Sequence, residues 1–372
     1  MANSFKVVDM IAAEVMRIAH ESGTFIAASD RQYDDSFKSY NGHKIGQTLR
    51  VKEPNRYVRT QGSRVMASQA QNESTQNITK ATQDHVDMDL TSVDILQFAK
   101  GANDFDAFSK DYIEPAVKVL ISGVESDFLA FATKATYNVA GTAGTAITSL
   151  DPIGAARAKL NQGLAPKDDM RSVHMDSIAM GKLVNGTAAY FNPTNAIGKQ
   201  YREGMIARTG MADFYENERG WSMSNIADVT GTVDATSLVT DGGTTLDIHT
   251  TVASPNVGQV FTVAGVYSVH PETKAAYPSL QQFTVVATSA GAAITISPPT
   301  YLTGAKKNIG SITGADLTAA SFNSATLTFV GIASTVYPMQ LMHHKEAFQF
   351  VCGDLPLMDS ADKCSRKNVE GL

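Results

Sequence analysis

Four groups of residues in this 372-residue chain have types and spacing that could do chemistry. His343-His344, followed by Lys345, is the densest histidine site. Neighbouring side chains on an extended stretch point to opposite sides, so the two imidazoles are expected as separate surface residues rather than as ligands of one ion. His85, Asp87 and Asp89 carry metal-ligating atoms on alternate residues. That spacing lines them along one strand face instead of wrapping an ion, and predicts a solvated face. Asp104-Phe105-Asp106 and Asp168-Asp169 bring carboxylates together in sequence, and are read as helix-start charges and a turn rather than an acid/base pair. The fourth group is cationic: between residues 50 and 64 lie Arg50, Lys52, Arg56, Arg59 and Arg64, with Glu53 as the one acid. On the residues alone this run could be a solvated hairpin, a phosphate-binding arm, or an arm that reaches an acidic surface on another chain.

Motifs for other chemistry are missing. No Gly-x-x-x-x-Gly-Lys phosphate loop, Gly-x-Ser-x-Gly elbow or His-Glu-x-x-His pair occurs. Gly141-Thr142-Ala143-Gly144 lacks the strand-then-helix spacing of a dinucleotide site. The sequence therefore offers no catalytic residue, no cofactor site and no metal site. Cys352 and Cys364 cannot make a disulfide framework and form no Cys-x-x-Cys pair, which points to a reducing compartment. Thirty-one basic against 37 acidic residues give a formal charge of 31 − 37 = −6, the wrong sign for a dedicated nucleic-acid binder. With 43% hydrophobic and 18% charged residues, much of the surface must be neutral, which suits packing against copies of itself. No apolar run approaches the roughly 18 residues of a membrane span. Asp9 and Glu14 interrupt the start where a signal peptide would be apolar, so the expectation is a soluble, intracellularly made protein.

The elements that must position these groups follow from periodicity. Phe5, Val8, Ala12, Val15 and Ala19 predict a helix over 4–22, with Gly23 as its left-handed terminator. Leu49 and Val51 alternate with Arg50 and Lys52, predicting a strand over 48–52. A second strand is expected over 84–90, so that its acidic face meets the cationic one across an antiparallel ladder. The stretch 53–83 between them is polar and reads as a long connection. Pro115 predicts the start of a long helix whose core stripe is Val117, Leu120, Ile121, Val124, Phe128, Phe131 and Ala132, with Glu125 away from its centre. Asp151-Pro152 predicts another helix start, 171–178 a strand, and 180–190 and 195–207 two helices. From about residue 230 helical periodicity gives way to short β runs separated by Gly, Pro and Asn, the pattern of an antiparallel sandwich or barrel.

The order of the pieces Arg31-Gln32-Tyr33-Asp34-Asp35-Ser36-Phe37, Lys44-Ile45-Gly46, Leu49-Arg50-Val51-Lys52-Glu53-Pro54 and Gln83-Asp84-His85-Val86 resembles the amino-terminal signature of major capsid proteins of tailed double-stranded-DNA bacteriophages. The likeness continues through Tyr112-Ile113-Glu114-Pro115-Ala116, the 139–145 segment, 204–216 and 341–356, and is greatest to the coat proteins of short-tailed Salmonella phages. The resemblance implies an α+β chain with the tailed-phage/herpesvirus major capsid fold plus an inserted antiparallel β-barrel or sandwich domain. It places an N-terminal arm at 1–44, an extended loop at 45–92, a peripheral domain with a spine helix at 93–150, peripheral and axial parts at 151–229, the inserted domain at 230–332 and a return to the body at 333–372. It implies a non-enzymatic shell subunit forming pentamers and hexamers around double-stranded DNA without sequence-specific binding. Scaffolding and portal proteins are the further partners, assembly is in the bacterial cytoplasm, the location is the virion, and no membrane is involved. Arg50, Lys52, Arg56, Arg59 and Arg64 become subunit-interface residues of the extended loop. Members of the group continue past the region matching 368–372, which implies a further segment completing the subunit. The alternative from the residues is a soluble α+β binding protein or enzyme with a β-sandwich carbohydrate-binding domain, using Tyr267, Tyr277 and Tyr301.

Overall fold

The computed structural model describes residues 23–31, 48–60, 62, 75–79, 82–87, 109–187, 212–235, 239–249, 254–288 and 293–352. The chain divides into two compact units, one made of 1–53, 75–128 and 345–372 and the other of 54–74 and 129–344. The helices expected over 4–22 and 195–207 lie outside the described residues.

In the first unit a short helix, α1 (Thr24–Ala27), follows Gly23. That glycine is extended (φ −103°) and sits at the helix's N-terminal cap, not in the left-handed conformation expected of it. Strand β1 (Thr48–Lys52) pairs antiparallel with β2 (Thr75–Thr79), in the register Arg50 opposite Asn77 and Lys52 opposite Thr75. The expected partner over 84–90 is therefore corrected: 82–87 carry no strand and 88–90 lie outside the described residues. Thr75, Ile78 and Thr79 favour a pleated backbone, and pairing with them closes a shorter loop. The cationic side chains meet neutral ones across the ladder.

Helix α2 (Glu114–Ala135) follows a single π-helical turn, Ser109–Ile113. Pro115 sits in its first α-helical turn. Ile113, Val117, Ile121 and Phe128 are buried in this unit. Two positions depart from the expected stripe. Phe131 is 64% exposed, and Glu125 is fully buried. The carboxylate is held there by the open N-terminus of α1, where it accepts from the Phe25 amide at 2.7 Å and the Thr24 hydroxyl at 3.2 Å. Phe25 packs on Phe128 (4.7 Å between centroids) and Phe348 (6.3 Å), and Phe128 on Phe350 (5.1 Å). The 348–350 stretch is tied to Asp30 by paired backbone hydrogen bonds.

The second unit contains α3 (Asp151–Gln162), with Pro152 in its first turn as expected, then β3 (Arg171–Met175), α4 (Ser177–Thr187) and β4 (Asp213–Glu216). Strand β3 ends earlier than expected because Asp176 turns the chain into α4, accepting from the Ala179 amide at 2.9 Å. Strands β3 and β4 are parallel with α4 between them, and β14 (Leu341–His344) adds antiparallel on the other edge of β3. Val173, Met175, Ile153, Met180 and Leu183 form the core against the helices. Gly186 lets α4 approach the Thr148 carbonyl, which a Cβ would overlap. A small pair, β5 (Ser222–Ser224) and β13 (Val336–Pro338), precedes β14.

The remaining strands are β6 (Thr230–Thr232), β7 (Gly243–Asp247), β8 (Val260–Val269), β9 (Ala276–Thr288), β10 (Ala293–Thr300), β11 (Ile309–Gly310) and β12 (Thr326–Phe329). They form one antiparallel sheet in the order β6-β12-β8-β9-β10-β7, with β11 on β8. A bridge between Val233 and Ile248, with the Asp234 amide on the Asp247 carbonyl and the His249 amide on the Thr232 carbonyl (both 2.9 Å), joins the two end strands. The sheet thus closes on itself as a barrel, which removes its edges. Phe261, Val263, Phe283, Val285, Leu327 and Phe329 fill it. Alternation in β8 breaks at Gly265 (φ +81°), where the register with β9 shifts.

Candidate functional site

The cationic run is displayed on extended backbone. Arg50 and Lys52 project from β1 in the first unit, Arg56 and Arg59 from the irregular 54–60 stretch in the second, and all four are exposed. Arg64 lies outside the described residues. The charge of Arg56 is felt inside its own unit. Burial raises the Tyr137 hydroxyl and Arg56 works against that rise. Burial lowers the Lys274 ammonium, and Arg56 and then Lys307 lower it further. Lys274 is anchored by donating to the Ala305 and Lys307 carbonyls at 2.6 and 3.3 Å. The Arg56 charge thus acts unfavourably on a cation of its own chain.

The histidines are placed differently from expectation. His343 and His344 are buried, not on the surface, because β14 pairs along β3, every residue of which is itself buried. The prediction that they point to opposite sides holds. His343 stacks on His174 at 5.3 Å and 12°, and His174 stacks on Tyr215 at 5.3 Å and 16°, so three rings run across β14, β3 and β4. The His343 Nδ1–H donates to the His344 carbonyl at 3.2 Å. On the other side, His344 Nε2 donates to the Asp168 carboxylate at 2.9 Å. Asp168 also accepts from the Met170 amide at 3.1 Å, the turn expected of it. Its partial burial opposes ionisation, but the Met170 and His344 hydrogen bonds and the His344 charge outweigh this and hold it below the usual carboxylate range. Arg171 is buried as well, and its guanidinium donates to the Pro166 and Ala165 carbonyls at 3.0 Å and to Asn161 at 2.9 Å, closing the C-terminal end of α3.

These polar groups have structural tasks. Among the described residues no group of three or more His, Cys, Asp or Glu side chains is placed to hold a metal ion. His85 and Asp87 are exposed and 3.5 Å apart, solvated as expected but on irregular backbone rather than on a strand face. Asp89, Asp104 and Asp106 lie outside the described residues. No described helix is long and apolar enough to cross a membrane. In the barrel, Tyr277 lies against His270 (5.9 Å between centroids) and Tyr301 under Lys306 (5.8 Å).

Sequence reasoning missed the junction between the barrel and the rest of its unit. Thr284 donates to the Lys134 carbonyl at the end of α2 (3.0 Å), and Gln282 both accepts from and donates to the Val139 backbone at 3.0 and 3.1 Å. Buried Gln259 donates to Asn225 at 2.6 Å, and Asn225 donates to the Val330 and Ile332 carbonyls. Gly258 lies against Trp221 and Lys134, with no room for a Cβ. The one available signal was the run of amides in otherwise apolar strands.

Neither protein-family models nor curated proteins give a match to this chain. Among solved structures, a chain from Mycobacterium phage Che8 is similar with a TM-score of 0.41 and 15% identity, over 53% of this chain and 69% of its own length. The CUS-3 coat protein I-domain is similar with a TM-score of 0.18 and 26% identity, over 30% of this chain and 94% of its own. At those TM-scores neither likeness carries an argument; this chain is a mixed α/β protein rich in sheet, with phage and coat-protein structures among its neighbours.

Proposed function

We propose that this chain is a major capsid protein of a tailed double-stranded-DNA phage, a non-enzymatic subunit that builds an icosahedral shell of pentamers and hexamers. The observation that carries the reading is the order of elements along the chain: an exposed cationic hairpin, then a 22-residue helix, then a βαβ sheet, then a closed barrel, then a final strand returning to that sheet. This is the order that the sequence resemblance implies. In this reading 45–92 form the extended loop, 230–332 the inserted domain, and 151–229 with 333–372 the remaining peripheral and axial parts. Arg50, Lys52, Arg56, Arg59 and Arg64 lie at the contact with the adjacent copy. Scaffolding and portal proteins assist assembly in the host cytoplasm, and the acidic shell encloses DNA without reading its sequence.

Mechanism is then assembly. Each cationic loop lies on the acidic surface of a neighbour in a head-to-tail ring, and many individually modest contacts add up around it. The Arg56 charge, unfavourable to Lys274 of its own chain, is consistent with the loop engaging that surface. Arg56→Glu with Arg59→Glu is expected to leave the circular-dichroism spectrum unchanged while abolishing shells in negative-stain micrographs. Normal particles from the double variant would remove the loop's proposed role, and an unassociated wild-type monomer with saccharide affinity would favour a carbohydrate-binding protein.

A further inference from the structure

We propose that the stacked His174–His343 pair is an acid-operated latch that releases strand β14 from β3. The geometry is specific. Two imidazoles lie face to face at 5.3 Å on adjacent strands, 3% and 1% exposed, with Tyr215 covering the far side of His174. Two neutral rings stack well there, but two imidazolium ions buried at that separation repel strongly. The strand they lock is short, four residues, and it is the last of its unit before the chain enters the other one at Lys345.

The described titratable and charged groups around the pair lie on β14, β4, β3 and α3 and in the turns before and after β3. From β14 come His344 and the His344 carbonyl, which holds the His343 Nδ1–H. From β4 come the Tyr215 ring and, at the strand ends, Asp213 and Glu216. Strand β3 carries Arg171 and is followed by Asp176, whose carboxylate accepts from Gln340 at 3.1 Å and from the Ala179 amide. The turn before β3 supplies Asp168, which is hydrogen-bonded to His344, and α3 supplies Arg157, whose charge acts on Arg171. Burial, and then the charge of His343, lower His174 from 6.5 to about 3. Burial likewise lowers His343 from 6.5 to about 4; the His344 carbonyl opposes this and the His344 charge adds to it. Both rings are neutral at neutral pH in the folded chain. Between pH 6.5 and those values the strand-released state binds more protons than the closed one, so acidification favours release. Above pH 6.5 the latch is fully engaged.

The test uses the full chain as an unassembled subunit, so it reads the latch whether or not copies form shells. Pulsed hydrogen exchange is run after equilibration at a series of pH values, with the pulse itself at one fixed pH. In wild type, peptides covering 171–175 and 341–344 are expected to lose protection between pH 6.5 and 4 while barrel peptides covering 260–269 and 276–288 keep theirs. His174→Phe with His343→Phe keeps two stacking rings without a titrating nitrogen, and is expected to move the loss at least about one pH unit lower. If the double variant does not fold, His343→Phe alone, which removes the like charge facing His174, must still move it in the same direction. Protection of β14 down to pH 4 in wild type, an unshifted midpoint in the variants, or simultaneous loss in sheet and barrel would each overturn the latch.

Discussion

The barrel and the three-stranded sheet β14-β3-β4 belong to the same unit and solve the problem of burying backbone in opposite ways. The barrel comes from one continuous stretch of chain, closes its own edges through Val233 and Ile248, and fills its interior with apolar side chains such as Phe261, Phe283 and Phe329. The stability that this apolar interior supplies is non-directional and does not depend on protonation. The sheet is gathered from segments around residues 173, 214 and 342, and its buried positions include Arg171, His174, His343 and His344. Each of those groups must find a specific partner or stay neutral, because a buried polar group without one is costly. A region built the first way suits an insertion that folds as a module. A region built the second way is held by a few directional contacts and can be opened by removing one.

Breaking the barrel should have the largest effect. Phe283 is 1% exposed and stacks on Phe261 at 5.7 Å. Phe283→Ala is expected to cost about 3–5 kcal/mol in urea denaturation, the transfer loss plus an unfilled cavity. Residues 230–332 expressed alone should show one cooperative β-type transition that the same substitution lowers. A disordered spectrum for the fragment would end the idea that the barrel is autonomous. The sheet should yield to a polar deletion instead. Arg171→Ala strips three hydrogen bonds from the Ala165 and Pro166 carbonyls and Asn161, and is expected to cost about 3 kcal/mol. Its measurable signature is loss of exchange protection at 161–175 with the barrel unchanged. Equal loss in both regions would mean that the two are not energetically distinct.

The same contrast explains what could be read in the sequence. The strand β12 is legible in Thr326-Leu327-Thr328-Phe329 because every second side chain points into one apolar interior. Closure was not, since Val233 and Ile248 carry no local mark of being partners. Strand β2 was hidden because Thr75-Gln76-Asn77-Ile78-Thr79 buries almost nothing and its polar composition imitates a loop. His343 and His344 read as surface residues because the burial of β14 is decided by β3, more than 160 residues earlier. Glu125 belongs to the same class: a carboxylate on an apolar helix face makes sense only once the open amides of α1 are present. Of the cationic candidates, exposure follows from local composition, whereas the action of the Arg56 charge on Lys274 does not.

The smallest expected effect lies at the junction where the barrel meets the last turn of α2. Thr284 is fully buried, and its hydroxyl donates to the Lys134 carbonyl, which falls in the last turn of α2 and so has no intrahelical amide to receive. Thr284→Val keeps the side chain's shape and removes only the donor, so the barrel interior is untouched. The expected cost is about 1 kcal/mol in urea denaturation of the full chain. Gln282 holds Val139 through both of its amide atoms and shares this junction. If directional hydrogen bonds fix the barrel's orientation, Thr284→Val and Gln282→Ala together should depart from additivity by about 0.5 kcal/mol or more, because losing one contact loosens the geometry of the other. Strict additivity would assign the orientation to apolar packing around Gly258 and Trp221 instead.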